Sequence, residues 1–98
     1  MAFVHVVTIH NYRGSVISSS SIVGVYVSSE LGKQAVVETG EKILANLREQ
    51  NINIGTNIDY NIQHFPYGFS EIFMGDGKDM RDMVTLVKST EYPVHGSW

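Results

Sequence analysis

Ile22-Val23-Gly24-Val25-Tyr26-Val27-Ser28-Ser29-Glu30, running on to Gln50, is the stretch whose reading decides the fold. Apart from Gly24, the residues up to Val27 are β-branched or aromatic, the composition of a strand. Ser28 or Ser29 can then accept a bond from a first-turn amide, and Glu30 sits well at the positive end of a helix dipole. Beyond them Leu31, Ala35, Val36, Ile43, Leu44 and Leu47 recur at helical spacing. Lys33, Gln34, Glu38, Glu41, Lys42, Arg48 and Glu49 fall largely off that stripe, so the helix is amphipathic. Gly32 and Gly40 interrupt the pattern, each at a cost of about 1 kcal/mol against Ala. Both lie near the stripe, where a missing side chain lets the helix approach a sheet closely; a break near Gly40 is the competing reading.

Upstream, Phe3-Val4-His5-Val6-Val7-Thr8-Ile9-His10 is dense in β-branched residues with apolar members in both alternating sets. It predicts a strand covered on both faces, or covered on one face and paired centrally. Asn11-Tyr12-Arg13-Gly14 reads as a turn, and Ser18 to Ser21 as a polar loop. Downstream of Ile52-Asn53-Ile54-Gly55, alternation sends Ile58, Tyr60, Ile62 and His64 one way and Asn57, Asp59, Asn61 and Gln63 the other. Pro66 and Gly68 break the chain, Phe69 to Met74 is another strand, and Gly75-Asp76-Gly77-Lys78 a turn. Met80 to Lys88 fits a short helix capped by Asp79 or a strand in a hairpin with Phe69–Met74, with the balance toward the strand. The tail from Tyr92 to Trp98 shows no periodicity. The expectation is one α+β domain over residues 1–98, an antiparallel sheet of four to five strands packed against one long amphipathic helix.

Composition narrows the function. The chain has no cysteine, which removes disulfides, Cys-based zinc sites and a thiol nucleophile and fits a cytoplasmic setting. A net charge of −3 offers no basic footprint for nucleic acid. No apolar run approaches the roughly 18 residues of a membrane span, and the first ten residues lack the pattern of a secretory signal.

No local constellation demands chemistry. His5 and His10 differ by an odd number of positions and face opposite sides of a strand. His64 ends an apolar set and reads as an imidazole bonded to backbone, and no HxH or HExxH spacing exists. Asp76, Asp79 and Asp82 do not follow calcium-loop spacing. The Gly75–Lys78 turn lacks the parts of a phosphate-binding P-loop. A Ser–His–acid triad is compatible with the composition, but no GxSxG elbow supports it. The expectation is therefore no catalysis, no metal and no cofactor. Aromatics are the more suggestive group: Phe65, Tyr67, Phe69 and Phe73 surround the Pro-Gly break, with Tyr92 and Trp98 later. Phe69 and Phe73 are expected in the core. Arg13, Phe65, Tyr67 and Trp98, with Asn57 and Asn61 as adaptable polar contacts, form the candidate partner-binding set.

Two segments, Gly24-Val25-Tyr26-Val27-Ser28-Ser29 and Phe65-Pro66-Tyr67-Gly68-Phe69, resemble a group of small bacterial and phage domains of unknown function. Those domains carry a Gly-Val-Tyr-Ser-Ser strand end, an Ala-rich amphipathic helix, and a Tyr-Pro-x-Gly-Phe turn opening a strand. The resemblance spans about half of the chain; residues 51 to 64 and those beyond Gly75 depart from it. It implies a strand–strand–helix–strand core and a phage or bacterial setting, and carries over no site. The leading expectation is a non-enzymatic interaction protein, a phage accessory factor that binds and inhibits a host or cellular protein, without nucleic acid or membrane as partner. A homodimer formed through a sheet edge or the aromatic turn is expected as well. The alternative is a binder or sponge for a nucleotide signal, with Asn57, Asn61, Gln63, Arg13 and the aromatics holding the base.

Overall fold

The computed structural model describes residues 2–75 and 82–94. Strands β1 (Phe3–Arg13) and β2 (Val16–Tyr26) precede helix α1 (Ser29–Asn53), and β3 (Tyr60–Phe65), β4 (Phe69–Met74) and β5 (Met83–Pro93) follow. The sheet order is β2-β1-β5-β4-β3, with every neighbouring pair antiparallel. The expected α+β architecture is present, with five strands and one helix on a single face. Met83 onward is strand, paired with β4 as the hairpin reading required. Met80 and most of the Gly75–Lys78 turn lie outside the described residues.

The first hairpin differs from its sequence reading. Asn11 to Arg13 belong to β1, and the four serines belong to β2. The turn itself is Gly14-Ser15, flanked by the Arg13–Val16 pair, with Gly14 at φ 68° as a two-residue hairpin loop starting on glycine requires. Serine suits this strand because β2 is an edge strand whose residues are mostly exposed. Asn11 Nδ2 donates to Ser19 Oγ, and His10 Nδ1 lies 2.7 Å from Ser20 Oγ, so cross-strand hydroxyls replace apolar packing. Val23 and Ser18 have no partner on β1, and these two bulges break the regular pairing of the edge.

Helix α1 starts where the serines place it, with Leu31 N–H donating to the Ser28 hydroxyl. It runs without a break through Gly40 and ends at Asn53, absorbing most of the Ile52–Ile54 segment. Its buried positions are Gly32, Ala35, Val36, Gly40 and Leu44. Alternation in register sets Val7 of β1, Val87 of β5 and Ile72 of β4 beneath it as fully buried side chains, with Ile9, Tyr26 and Ile43 around them. Of the two readings for the first strand, β1 is therefore paired on both sides and covered on one face.

The glycines are contact points. A Cβ on Gly32 would stand 2.7 Å from Ser89 Oγ and 3.1 Å from His5 Cβ. On Gly40 it would meet Ile62 Cδ1 at 2.9 Å, the mobile end of a long side chain. The His5 Cβ is fixed to its backbone and cannot swing aside. Gly32→Ala is therefore expected to destabilise by about 1–2 kcal/mol, overpacking outweighing the gain in helix propensity. Gly40→Ala should be near neutral because Ile62 can rotate. Urea unfolding of the two variants checks the difference, and equal effects would refute it.

The alternation at residues 57–64 becomes strand only from Tyr60. Asn51, near the helix end, explains the delay: its Nδ2 donates to Ile58 O at 2.6 Å, and its Oδ1 accepts from Ile58 N. Both backbone groups of Ile58 are thus taken by a side chain and cannot join a ladder.

Candidate functional site

With one helix on one face, the opposite face of the sheet carries no covering element among the described residues. Val4, Val6 and Thr8 of β1, Leu86 and Lys88 of β5, and Phe69, Glu71 and Phe73 of β4 alternate away from the helix. Ile22 and Val25 of β2 extend this face to the edge and are largely exposed. A shallow depression of about 280 Å³ between Phe69, Glu71, Leu86 and Lys88 marks its centre. Phe69 and Phe73 are therefore half-buried on the bare face and are not core residues under the helix. Tyr92, read as part of an irregular tail, is a β5 residue opposite Val4 on this same face.

The turn between β3 and β4 carries the aromatic cluster. Phe65 and Phe69 face each other in register and stack with centroids 4.4 Å apart and planes 17° from parallel. Tyr67 lies 6.1 Å from Phe69 and is 76 % exposed. Gly68 makes the turn possible: it is buried at φ 87°, and its carbonyl accepts Ser89 N–H. Two of the expected partner residues, Phe65 and Tyr67, are thus brought together, with Phe69 between them.

The other expected residues do not join that cluster. Arg13 stands at the hairpin tip, past the last β1–β5 pair. Asn57 is exposed in the loop before β3. Asn61 is at the other end of β3 from Phe65, and its Nδ2 donates to Gly75 O at 2.7 Å, which fastens the strand end. Trp98 lies outside the described residues. The amide face proposed to hold a nucleotide base is therefore not assembled around Arg13 and the aromatics.

A Ser–His–Glu chain does exist. His64 Nδ1 is 2.6 Å from Ser70 Oγ, and its Nε2 is 2.7 Å from Glu41 Oε1. His64 is thus bonded to two side chains, and the expected backbone partner is replaced, because Ser70 lies directly opposite in register and Gly40 lets the helix bring Glu41 close. Ser70 is 0 % exposed, so its hydroxyl cannot meet a substrate. The chain clips the helix to β3 and β4. Replacing His64 with Ala leaves a buried hydroxyl without its partner and should cost about 1–3 kcal/mol, measured by chemical denaturation. A loss no larger than that of an exposed surface change would show that the clip is not structural.

His10 is bonded at both ring nitrogens, to Ser20 and Thr8, and faces away from His5 as the odd spacing requires. Among the described residues no group of three His, Asp or Glu side chains could hold a metal ion. No helix among them is long and apolar enough to cross a membrane. A concavity of about 680 Å³ is an open trough between α1 and the β2 edge, flanked by Val23, Tyr26, Ala35 and Ala45. A smaller recess of about 300 Å³ lies at the start of the helix and includes His5, Lys33 and Tyr67. No spacing in the sequence marks it, since its walls come from four separated segments.

No family model, curated protein or solved structure matches the chain.

Proposed function

We propose that this chain is a non-enzymatic interaction protein whose bare sheet face binds protein, first a second copy of itself. The observation that carries the reading is the one-sided cover: one face lies under α1, and the other presents Val6, Leu86, Phe69 and Phe73 without a partner element among the described residues. Strands rise about 3.3 Å per residue and lie about 4.8 Å apart, so this face spans on the order of 700 Å². That is close to the roughly 800 Å² each partner gives to a standard interface. Charges on the face favour a two-fold arrangement. Phe69 pairs with Lys88 and Glu71 with Leu86, so Lys88 and Glu71 are diagonal neighbours. A two-fold axis through the patch sets each lysine against the other copy's glutamate. The face is favoured over the β2 edge because the bulges at Val23 and Ser18 interrupt the edge.

Tyr67, at the rim of that face, is left for a cellular protein, consistent with a phage or bacterial inhibitor that acts by binding. Tyr67→Ala should weaken that complex by about 2 kcal/mol or more while leaving the thermal midpoint nearly unchanged, because the ring is 76 % exposed. Affinity capture from bacterial lysate with the native chain and the variant tests this. A stoichiometric protein recovered only by the native chain supports the reading; a bound metabolite and no protein would overturn it.

A further inference from the structure

The start of α1 rests on β1 and β5 at a point where polar side chains converge. His5 lies across from Glu91, and Ser89 is the next residue of β5 on the same helix-facing side. The contact of Gly32 with His5 and Ser89 brings the first helical turn directly over them. Gly68 of the aromatic turn closes the recess, with Lys33 packed along it.

His5 is the informative residue. It is 8 % exposed, and its ring makes no hydrogen bond to any described residue. No side-chain nitrogen or oxygen among the described residues is both sealed from solvent and unpartnered, so the ring nitrogens of His5 open into the recess. A buried imidazole lining a small cavity, with no partner among the described residues, is a group held ready for a ligand.

We infer that this recess binds a small phosphate monoester. The groups around it are mainly donors. Ser28 takes up the amides of Leu31 and Gly32, which leaves those of Ser29 and Glu30 among the unsatisfied first-turn donors at the positive end of the dipole. Lys33 contributes an ammonium, while Ser29 and Ser89 contribute hydroxyls. The phosphate lies against the helix start and Lys33, with the imidazole of His5 donating to it. Among the described residues, Glu91 is the one carboxylate in the lining. It disfavours a bare anion at its end of the recess and suits a hydroxyl on the organic part of the ligand, which donates to it. The size, about 300 Å³, is at the small end of ligand pockets, which admits a compact ester and excludes a dinucleotide. No hydrogen bond joins His5 to Ser89 or Glu91, so the three form a binding set and not an assembled triad. The site is on the helix side of the sheet and does not depend on assembly through the bare face.

Calorimetric titration of the native chain with glycerol 3-phosphate, inorganic phosphate and sulfate, at matched ionic strength, tests the inference. The expected result is saturable binding of glycerol phosphate, weaker binding of inorganic phosphate, and the weakest of sulfate. Lys33→Gln, an exposed position that leaves the fold intact, should reduce affinity for glycerol phosphate at least tenfold. In NMR spectra the ring protons of His5 should shift on addition of ligand, while those of His10 and His64, bonded elsewhere, should not. Absence of saturable binding would overturn the proposal. So would equal affinity for all three anions, affinity unchanged in Lys33→Gln, or a His5 ring that does not respond.

Discussion

Ile72→Ala is expected to cost about 2–5 kcal/mol of folding stability, because Ile72 is the largest fully buried side chain among the described residues. Ile72 is 0 % exposed at the centre of β4, between Ile62 of β3 and Thr85 of β5, with the helix above it. Truncation removes three carbons' worth of apolar contact and leaves a space that close-packed neighbours refill only in part. A domain of this length holds only about 5–15 kcal/mol in total, so the variant should sit near the edge of foldedness. Urea unfolding followed by circular dichroism measures the change. A loss below about 1 kcal/mol would mean that the helix does not close over β4 as described. Val6→Ala, two strands over in β1 and on the bare face, serves as the contrast, since its side chain is only half-buried.

Leu86→Glu is expected to weaken self-association strongly. Leu86 lines the depression at the centre of the bare face, so in the proposed dimer each copy would bury a new carboxylate beside Glu71. Burying like charges without partners is costly, and central interface positions carry most of the binding energy. The loss should reach about 2 kcal/mol or more, roughly thirty-fold in the dissociation constant. Within one copy Leu86 is only partly covered, so the fold should survive with a change of about 1 kcal/mol. Light scattering on the eluted variant reads mass, and circular dichroism confirms the fold. A folded variant of unchanged mass would move the interface away from this face.

Why the helix was legible and parts of the first hairpin were not follows from where each buries its side chains. Helix α1 has a serine cap, an apolar stripe and two glycines whose absent side chains matter, all local signals. Strand β2 buries almost nothing, so selection for apolar alternation is weak there, and its serines resemble a loop although their backbones pair. At Ile58 the strand pattern was real in the side chains, but Asn51 had already taken the backbone groups. The candidate site divides in the same way. Phe65 and Tyr67 stood out because Pro66 and Gly68 mark their turn. The recess around His5 joins residues from β1, the start of α1, the β3–β4 turn and β5, and no spacing in the sequence announces that meeting. Phe69 and Phe73 were expected in the core because periodicity separates the two faces of a strand without saying which one the single helix will cover.

The central claim is that the uncovered face of the sheet is a protein-binding surface occupied first by a second copy. Sedimentation equilibrium of the native chain across the micromolar range tests it most directly. The account predicts a mass of twice 10.9 kDa that falls toward the monomer only on dilution. A mass of 10.9 kDa at every concentration would contradict it.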